Sequence, residues 1–272
     1  MTANHLGFSH PIELVRQAKL ACKKSLGQHH LVAPGVISKI TELIPTQSSI
    51  IEIGPGAGVL SWPLATTAKD FYLIEKDSIA YDFLKNLFKD FPHVKLIHED
   101  FLEFDLSIFP TQAYYIVSNL PYNVGTAILL KLLKQFPHAH LMILMFQKEV
   151  ADRLLAKPKT KNYGSLSVFV QTLAKVNKIS DVEPGAFLPP PDVRSTIVKI
   201  EPYPTQKHSP KLITRLENLL KKAFQQRRKM LKGTLKGFFP PNQLDSLLKK
   251  FGNPKARPEE LTPNQWQELA TS

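Results

Sequence analysis

From Ile50 to about Ile200, short apolar runs alternate with longer amphipathic stretches. Ile50-Ile51-Glu52-Ile53 ends at Gly54, and Phe71-Tyr72-Leu73-Ile74 ends at Glu75. Lys95-Leu96-Ile97-His98 ends at Glu99-Asp100, Tyr114-Tyr115-Ile116-Val117 at Ser118-Asn119, and the run Leu141 to Phe146 at Gln147. Helical patterns lie between them, over 79–88 and 124–136. Strand and helix in this rhythm predict an α/β fold, a mostly parallel sheet covered by helices on both faces. In open sheets of this kind ligands bind at the carboxyl ends of the strands. Gly54, Glu75, Asp100 and Asn119 are therefore expected along one edge of the sheet.

The stretch from Val182 to Pro191 carries four prolines in ten residues and is expected to lack regular structure. It leads into Ser195–Ile200, a β-branched run that reads as the last strand. Pro202, Pro204 and Pro210 mark a linker, followed by helical patterns over 211–236 and 242–251 with Lys and Arg on their polar faces. This places a domain boundary near Thr205, with an α/β domain over 1–205 and a small, basic, all-α domain over 206–272.

Hydrophobic residues make up 43% of the chain and charged residues 21%, a balance that excludes disorder as the main state. A single cysteine excludes an internal disulfide and a thiolate zinc cage, and no metal is expected. The longest wholly apolar run, Leu141 to Phe146, is far short of the roughly 20 residues that span a bilayer. Met1 to His10 lack the pattern of a secretory signal, so a cytoplasmic protein with no membrane partner is expected. The net charge of +12 is uneven. Residues 201–272 hold 14 basic against 6 acidic side chains, and residues 1–50 hold 5 against 2, whereas residues 51–200 are near balance at 16 against 15. A polyanion such as RNA reaching both ends of the chain fits this distribution.

Three motifs carry the chemistry. Glu52-Ile53-Gly54-Pro55-Gly56-Ala57-Gly58 is a strand feeding a glycine-rich turn, where the backbone approaches a ligand closely. Its G-x-G-x-G spacing differs from the G-x-G-x-x-G of dinucleotide binders. Glu75, at the next strand end, suits the ribose hydroxyls of an adenosine, and Asp100 suits an adenine amino group. Up to this point NAD and S-adenosylmethionine both remain open. Asn119-Leu120-Pro121-Tyr122, after the fourth strand, favours the latter. An exocyclic nucleobase amine is a poor nucleophile because its lone pair is delocalised into the ring. Two acceptors on its N–H bonds, the Asn119 side-chain oxygen and the Leu120 carbonyl, localise that pair toward a methyl donor. Pro121 bends the chain to aim the carbonyl, and Tyr122 offers a ring for stacking. Methylation at a cytosine C5 is disfavoured, since it needs a nucleophilic cysteine and Cys22 is far from this motif.

Together these residues resemble the class I S-adenosylmethionine methyltransferase set for amino-group methylation, a Rossmann-like fold. The flanking segments narrow the resemblance to the ribosomal RNA adenine dimethyltransferase family. Lys23-Lys24-Ser25-Leu26-Gly27-Gln28-His29-His30-Leu31 is similar to its basic K-x-x-G-Q-x-F-L segment. Gln147–Leu154 and Tyr163–Ser167 are similar to its fifth-strand region, and Phe187–Ser195 to its F-x-P-x-P-x-V-x-S loop. Ala223–Lys229 is similar to the basic helix of its C-terminal domain. The likeness runs from about Cys22 to the C-terminus and is strongest to the small-subunit branch. That branch converts two adjacent adenosines near the 3′ end of 16S rRNA to N6,N6-dimethyladenosine.

The resemblance implies S-adenosyl-L-methionine as cofactor, held by His29, Leu31, Gly54, Glu75, Asp100 and Asn119. His29 departs from the family's usual Asn, and His30 from its usual Phe. Asn119, Leu120, Pro121 and Tyr122 would carry the transfer, with Phe187 as a second aromatic wall for the base. Lys23, Lys24, Arg227, Arg228 and Lys229 would contact rRNA phosphates. The implied partner of the chain, a monomer, is 16S rRNA in the small subunit or its precursor. A large-subunit rRNA methyltransferase of the resistance type is the alternative within the same chemistry, and a non-catalytic RNA-binding assembly factor the alternative outside it.

Overall fold

The computed structural model describes residues 11–18, 29–204 and 209–272. Lys23, Lys24 and the expected boundary at Thr205 lie outside these residues. Nine strands are described: β1 (His30–Leu31), β2 (Ser49–Ile53), β3 (Asp70–Glu75), β4 (Val94–His98), β5 (Tyr114–Asn119), β6 (Ala139–Gln147), β7 (Ala174–Val182), β8 (Phe187–Leu188) and β9 (Ser195–Pro202). Seven of them form one sheet in the order β4-β3-β2-β5-β6-β9-β7. β4, β3, β2, β5 and β6 run parallel to their neighbours, and β9 pairs antiparallel with β6. The mostly parallel sheet read from the apolar runs is therefore present. The chain winds outward from β2 to β4, then returns to β5 on β2's other side. The crevice between β2 and β5 is thus the switch point where ligands bind.

The apolar runs are continuous because both sheet faces are buried: every residue of β2 is inaccessible. On one face Ile50, Phe71, Leu73, Val117, Ile143 and Ile197 pack with Ile37, Ile40, Leu64 and Leu84. On the other, Tyr72 and Tyr114 meet Phe109 and Phe136 in a ring cluster with centroids 4.9–6.1 Å apart. The helix Ser78–Leu87 starts where Asp77 accepts hydrogen bonds from the Ile79 and Ala80 amides, a carboxylate cap directly after β3.

β7 has no counterpart in the sequence reading. Only its end residues Ala174 and Val182 are buried, the seven between them are partly or fully exposed, and Lys175 and Lys178 interrupt any apolar run. Within the proline-rich stretch, Phe187 and Leu188 form a short ladder with Leu31 and His30. This ladder ties the proline-rich loop to the segment that precedes the first large strand.

The chain forms two compact units, Met1–Ala151 with Asn177–Glu201, and Asp152–Val176 with Pro202–Ser272. The second thus includes the helix Ser165–Leu173, which the sequence reading placed in the α/β domain. It is helical and closes around Trp266, which is fully buried, with Leu216, Leu219, Leu220 and Ala223 spaced along one face of the helix Pro210–Phe224. The Tyr163 hydroxyl donates to the Leu261 carbonyl at 2.8 Å, and burial pushes its pKa up. The helix expected over 211–236 is broken: it ends at Phe224, Gln225–Arg228 form a turn, and a short helix follows at Leu231–Thr234. Arg227 holds the break open, as described below.

Candidate active site

At the carboxyl ends of β2, β3 and β5 lies an open cleft. It is lined by His29, His30 and Leu31, the glycine turn, Glu52, Glu75, and Asn119 through Tyr122. The three glycines of the turn all adopt positive φ. At Gly58 the positive φ disfavours a side chain, and a Cβ there would lie 3.0 Å from the end of the Leu84 side chain, which would have to give way. Gly58 therefore serves the turn and its packing on the next helix. Gly56 brings the backbone against the His30 ring, leaving ordinary contact at 3.4 Å for a Cβ.

Glu75 is tied to the turn. Its carboxylate accepts from the Gly56 amide at 2.9 Å and the Asp77 amide at 2.8 Å. Burial raises its pKa, and those backbone donors oppose the rise. Each oxygen keeps a lone pair for a further donor. Glu52 also faces the cleft, although the sequence reading gave it no role. It is fully buried, Ser61 donates to it at 2.6 Å, and burial pushes its pKa up to about 8. A glutamate between two strand isoleucines was the available signal, because a charged residue in a run buried on both faces needs a reason to be there.

The Asn119 amide is oriented by its neighbour. Its Nδ2 donates to the His29 carbonyl at 2.8 Å. A carbonyl only accepts, so the NH₂ must face His29 and Oδ1 must face away. The His29 ring is held at Nδ1 by the Pro189 carbonyl, 2.9 Å away, and lies 5.3 Å from the Tyr122 ring at a tilt of 31°. Just beyond, the Pro121 carbonyl accepts from the Val124 and Gly125 amides and so opens the helix Gly125–Gln135. Those opening bonds bypass Leu120, whose carbonyl stays outside the helix. Tyr122 makes a 2.7 Å bond to the Ser195 hydroxyl, and burial raises its pKa.

Three expected residues stand elsewhere. Asp100 is not among the cleft residues: Lys76 donates to it at 2.6 Å and the Leu102 amide at 2.9 Å. The Lys76 bond, followed by the Leu102 bond, lowers the Asp100 pKa. Phe187 is buried in the core, pairs with Leu31 in the β1–β8 ladder and is not among the cleft residues; the ring in contact with Tyr122 is His29. Hydrophobic burial of a large ring outweighs a place at the cleft. In the second unit, Arg227 spends its guanidinium internally, donating to the Glu259 carboxylate at 2.8 Å and to the Lys161 and Thr160 carbonyls at 2.7 and 2.9 Å. It braces the turn. Arg228 and Lys229 are exposed and line a groove with Arg227 and with Arg257, a residue the sequence reading did not single out. No group of three metal-ligating side chains occurs among the described residues. No helix among them is long and apolar enough to cross a membrane.

Residues 19–272 match the family model described as ribosomal RNA adenine dimethylase. The chain belongs to the ribosomal RNA adenine dimethylase family. Curated relatives named ribosomal RNA small subunit methyltransferase A include those of Anaplasma marginale and Synechococcus. Each is 37% identical to this chain, covering 89% of it and 90% of the relative in the first case, and 91% and 94% in the second. Among solved structures, a dimethyladenosine transferase from Plasmodium falciparum superposes with a TM-score of 0.77 at 26% identity, covering 88% of this chain and 95% of that one. The 23S rRNA methyltransferase ErmE shares the fold, with a TM-score of 0.69 at 23% identity over 89% of this chain and 98% of that one.

Proposed function

We propose that this dimethylase transfers methyl groups from S-adenosyl-L-methionine to N6 of two adjacent adenosines near the 3′ end of 16S rRNA. It acts as a cytoplasmic monomer on the small subunit or its precursor. The observation that carries this reading is the orientation of Asn119, a cleft residue whose amide nitrogen is bound to the His29 carbonyl, so that its oxygen is the end turned away from His29.

The cleft suits the cofactor. Glu75 offers acceptor positions for ribose hydroxyls, the glycine turn lets the ligand approach the backbone, and Leu31 and Leu60 supply apolar wall. His29 and Gly54 complete this set. Asp100 keeps a lone pair on each oxygen beside its Lys76 and Leu102 bonds, which an adenine amino group can use. When bound, the cofactor supplies an electrophilic methyl on a sulfonium. Asn119 Oδ1 and the Leu120 carbonyl accept the two N–H bonds of the adenosine amine and turn its lone pair toward that methyl. Held this way, the amine would take up the methyl that the cofactor supplies, and the proton it gives up would leave to solvent. Pro121 fixes the approach of the Leu120 carbonyl, and Tyr122 stacks on the base, which offsets part of the cost of unstacking it. The α/β domain carries this chemistry. The basic helical domain binds rRNA backbone through Arg228 and Lys229, and Lys23 and Lys24 add contacts from the N-terminal side. Such contacts position the RNA and leave base choice to the cleft.

Small subunits lacking dimethyladenosine, incubated with protein and cofactor, test the assignment. Primer extension is expected to stop at two adjacent adenosines of 16S rRNA. Stops confined to 23S rRNA, or none at all, would overturn it.

A further inference from the structure

We propose that Ser195 is the positioning residue of Tyr122, fixing through its hydroxyl the ring on which the target base stacks. The proposal rests on the reading of Tyr122 given above.

The two residues lie 73 positions apart, yet their oxygens are 2.7 Å from each other. Topology brings this about. The parallel strands offer their last residues to the functional edge, whereas β9 runs antiparallel to β6 and offers its first. In that register Ser195 stands opposite Gln147, the final residue of β6. Ser195 is completely buried, so its hydroxyl is shielded from solvent. Tyr122 sits on the turn before the helix Gly125–Gln135 and is only partly buried. One side of its ring meets His29, and the hydroxyl bond anchors the far tip. Ser195 is not among the cleft residues, so its loss leaves the cofactor's contacts in place.

The consequence is graded along the reaction. An unmodified adenine presents two N–H bonds to the acceptors at Asn119 and Leu120. After the first transfer one remains, and the base depends more on the stacking wall to keep its alignment. Loosening Tyr122 therefore slows the second transfer more than the first.

The test uses unmodified small subunits, with rates and products read by mass spectrometry of the rRNA. Ser195→Ala and Tyr122→Phe are each expected to lower kcat roughly 5- to 20-fold, the scale of a modest misplacement. The KM for S-adenosylmethionine and the affinity for S-adenosylhomocysteine should stay within about twofold of wild type, because Ser195 lies outside the cleft and Tyr122→Phe keeps the ring that lines it. N6-monomethyladenosine should accumulate in both variants. The double variant should be no slower than the singles, since both remove the same bond. If Ser195→Ala lowers the thermal midpoint, Tyr122→Phe removes the bond without altering the buried position and carries the test. Wild-type kcat and product ratio in Tyr122→Phe, or losses that multiply in the double variant, would overturn the proposal. A wild-type protein that leaves the subunits unmodified would instead overturn the substrate reading, and this proposal with it.

Discussion

At Asn119 one hydrogen bond decides which end of an amide faces the cleft. Removing that side chain takes away an acceptor that acts on charge developing in the transition state. Asn119→Ala is therefore expected to lower kcat by about 10²–10³, the usual loss for one such group. Binding of S-adenosylhomocysteine, measured by calorimetry, should fall only a few-fold. Glu52 makes a second prediction. Its pKa is raised to about 8 in the folded chain, against an ordinary 4.5, and burial is the main cause. Between those values the folded protein holds a proton that the unfolded chain has released. Stability contributed at this site is therefore lost as pH rises from 4.5 to 8, by at most about 1.4 kcal/mol per pH unit. Glu52→Gln should flatten the dependence of the melting temperature on pH between 6 and 8, whereas curves parallel to wild type would refute the assignment. The type and order of the Asn119–Tyr122 residues were legible in the sequence, because the chemistry demands them. The direction of the Asn119 amide was not, since it is set by a carbonyl 90 positions away. Neither was the fate of Phe187, which the β1–β8 ladder draws into the core.

At the scale of elements, the parallel strands were readable because burial on both faces leaves unbroken apolar runs. β7 was hidden by its half-exposed, lysine-bearing pattern. The break after Phe224 was hidden for a different reason: residues 211–236 keep a helical pattern, and the turn is made by Arg227 reaching Thr160, Lys161 and Glu259. Arg227 and Arg228 are adjacent but should behave differently. Arg227→Ala should destabilise the protein by about 1 kcal/mol, since two backbone carbonyls and a carboxylate exchange their donor for water. Arg228→Ala should leave the melting temperature within a degree or so and weaken subunit binding. Equal melting temperatures for the two variants would contradict the bracing role of Arg227.

For the whole molecule, charge and fold divide the labour. The excess of basic residues after Glu201 falls mainly in the helical unit, while the strand ends that form the cleft lie in the other. Affinity for small subunits should fall steeply with salt, because phosphate binding releases counterions. Replacing both Arg228 and Lys229 by Ala should reduce the slope of log affinity against log salt by about 2, with cofactor binding unchanged. Composition made the basic ends plain, and the linker prolines pointed to a second body. The inclusion of Asp152–Val176 in that body was not readable, because it depends on long-range packing around Trp266. The account turns on two oxygens gripping one amine. A crystal structure with S-adenosylhomocysteine and an adenosine-bearing RNA tests this most directly. Asn119 Oδ1 and the Leu120 carbonyl oxygen should each lie within about 3.2 Å of N6, with the base against the Tyr122 ring. Either oxygen turned away from N6, or a base seated elsewhere, would contradict it.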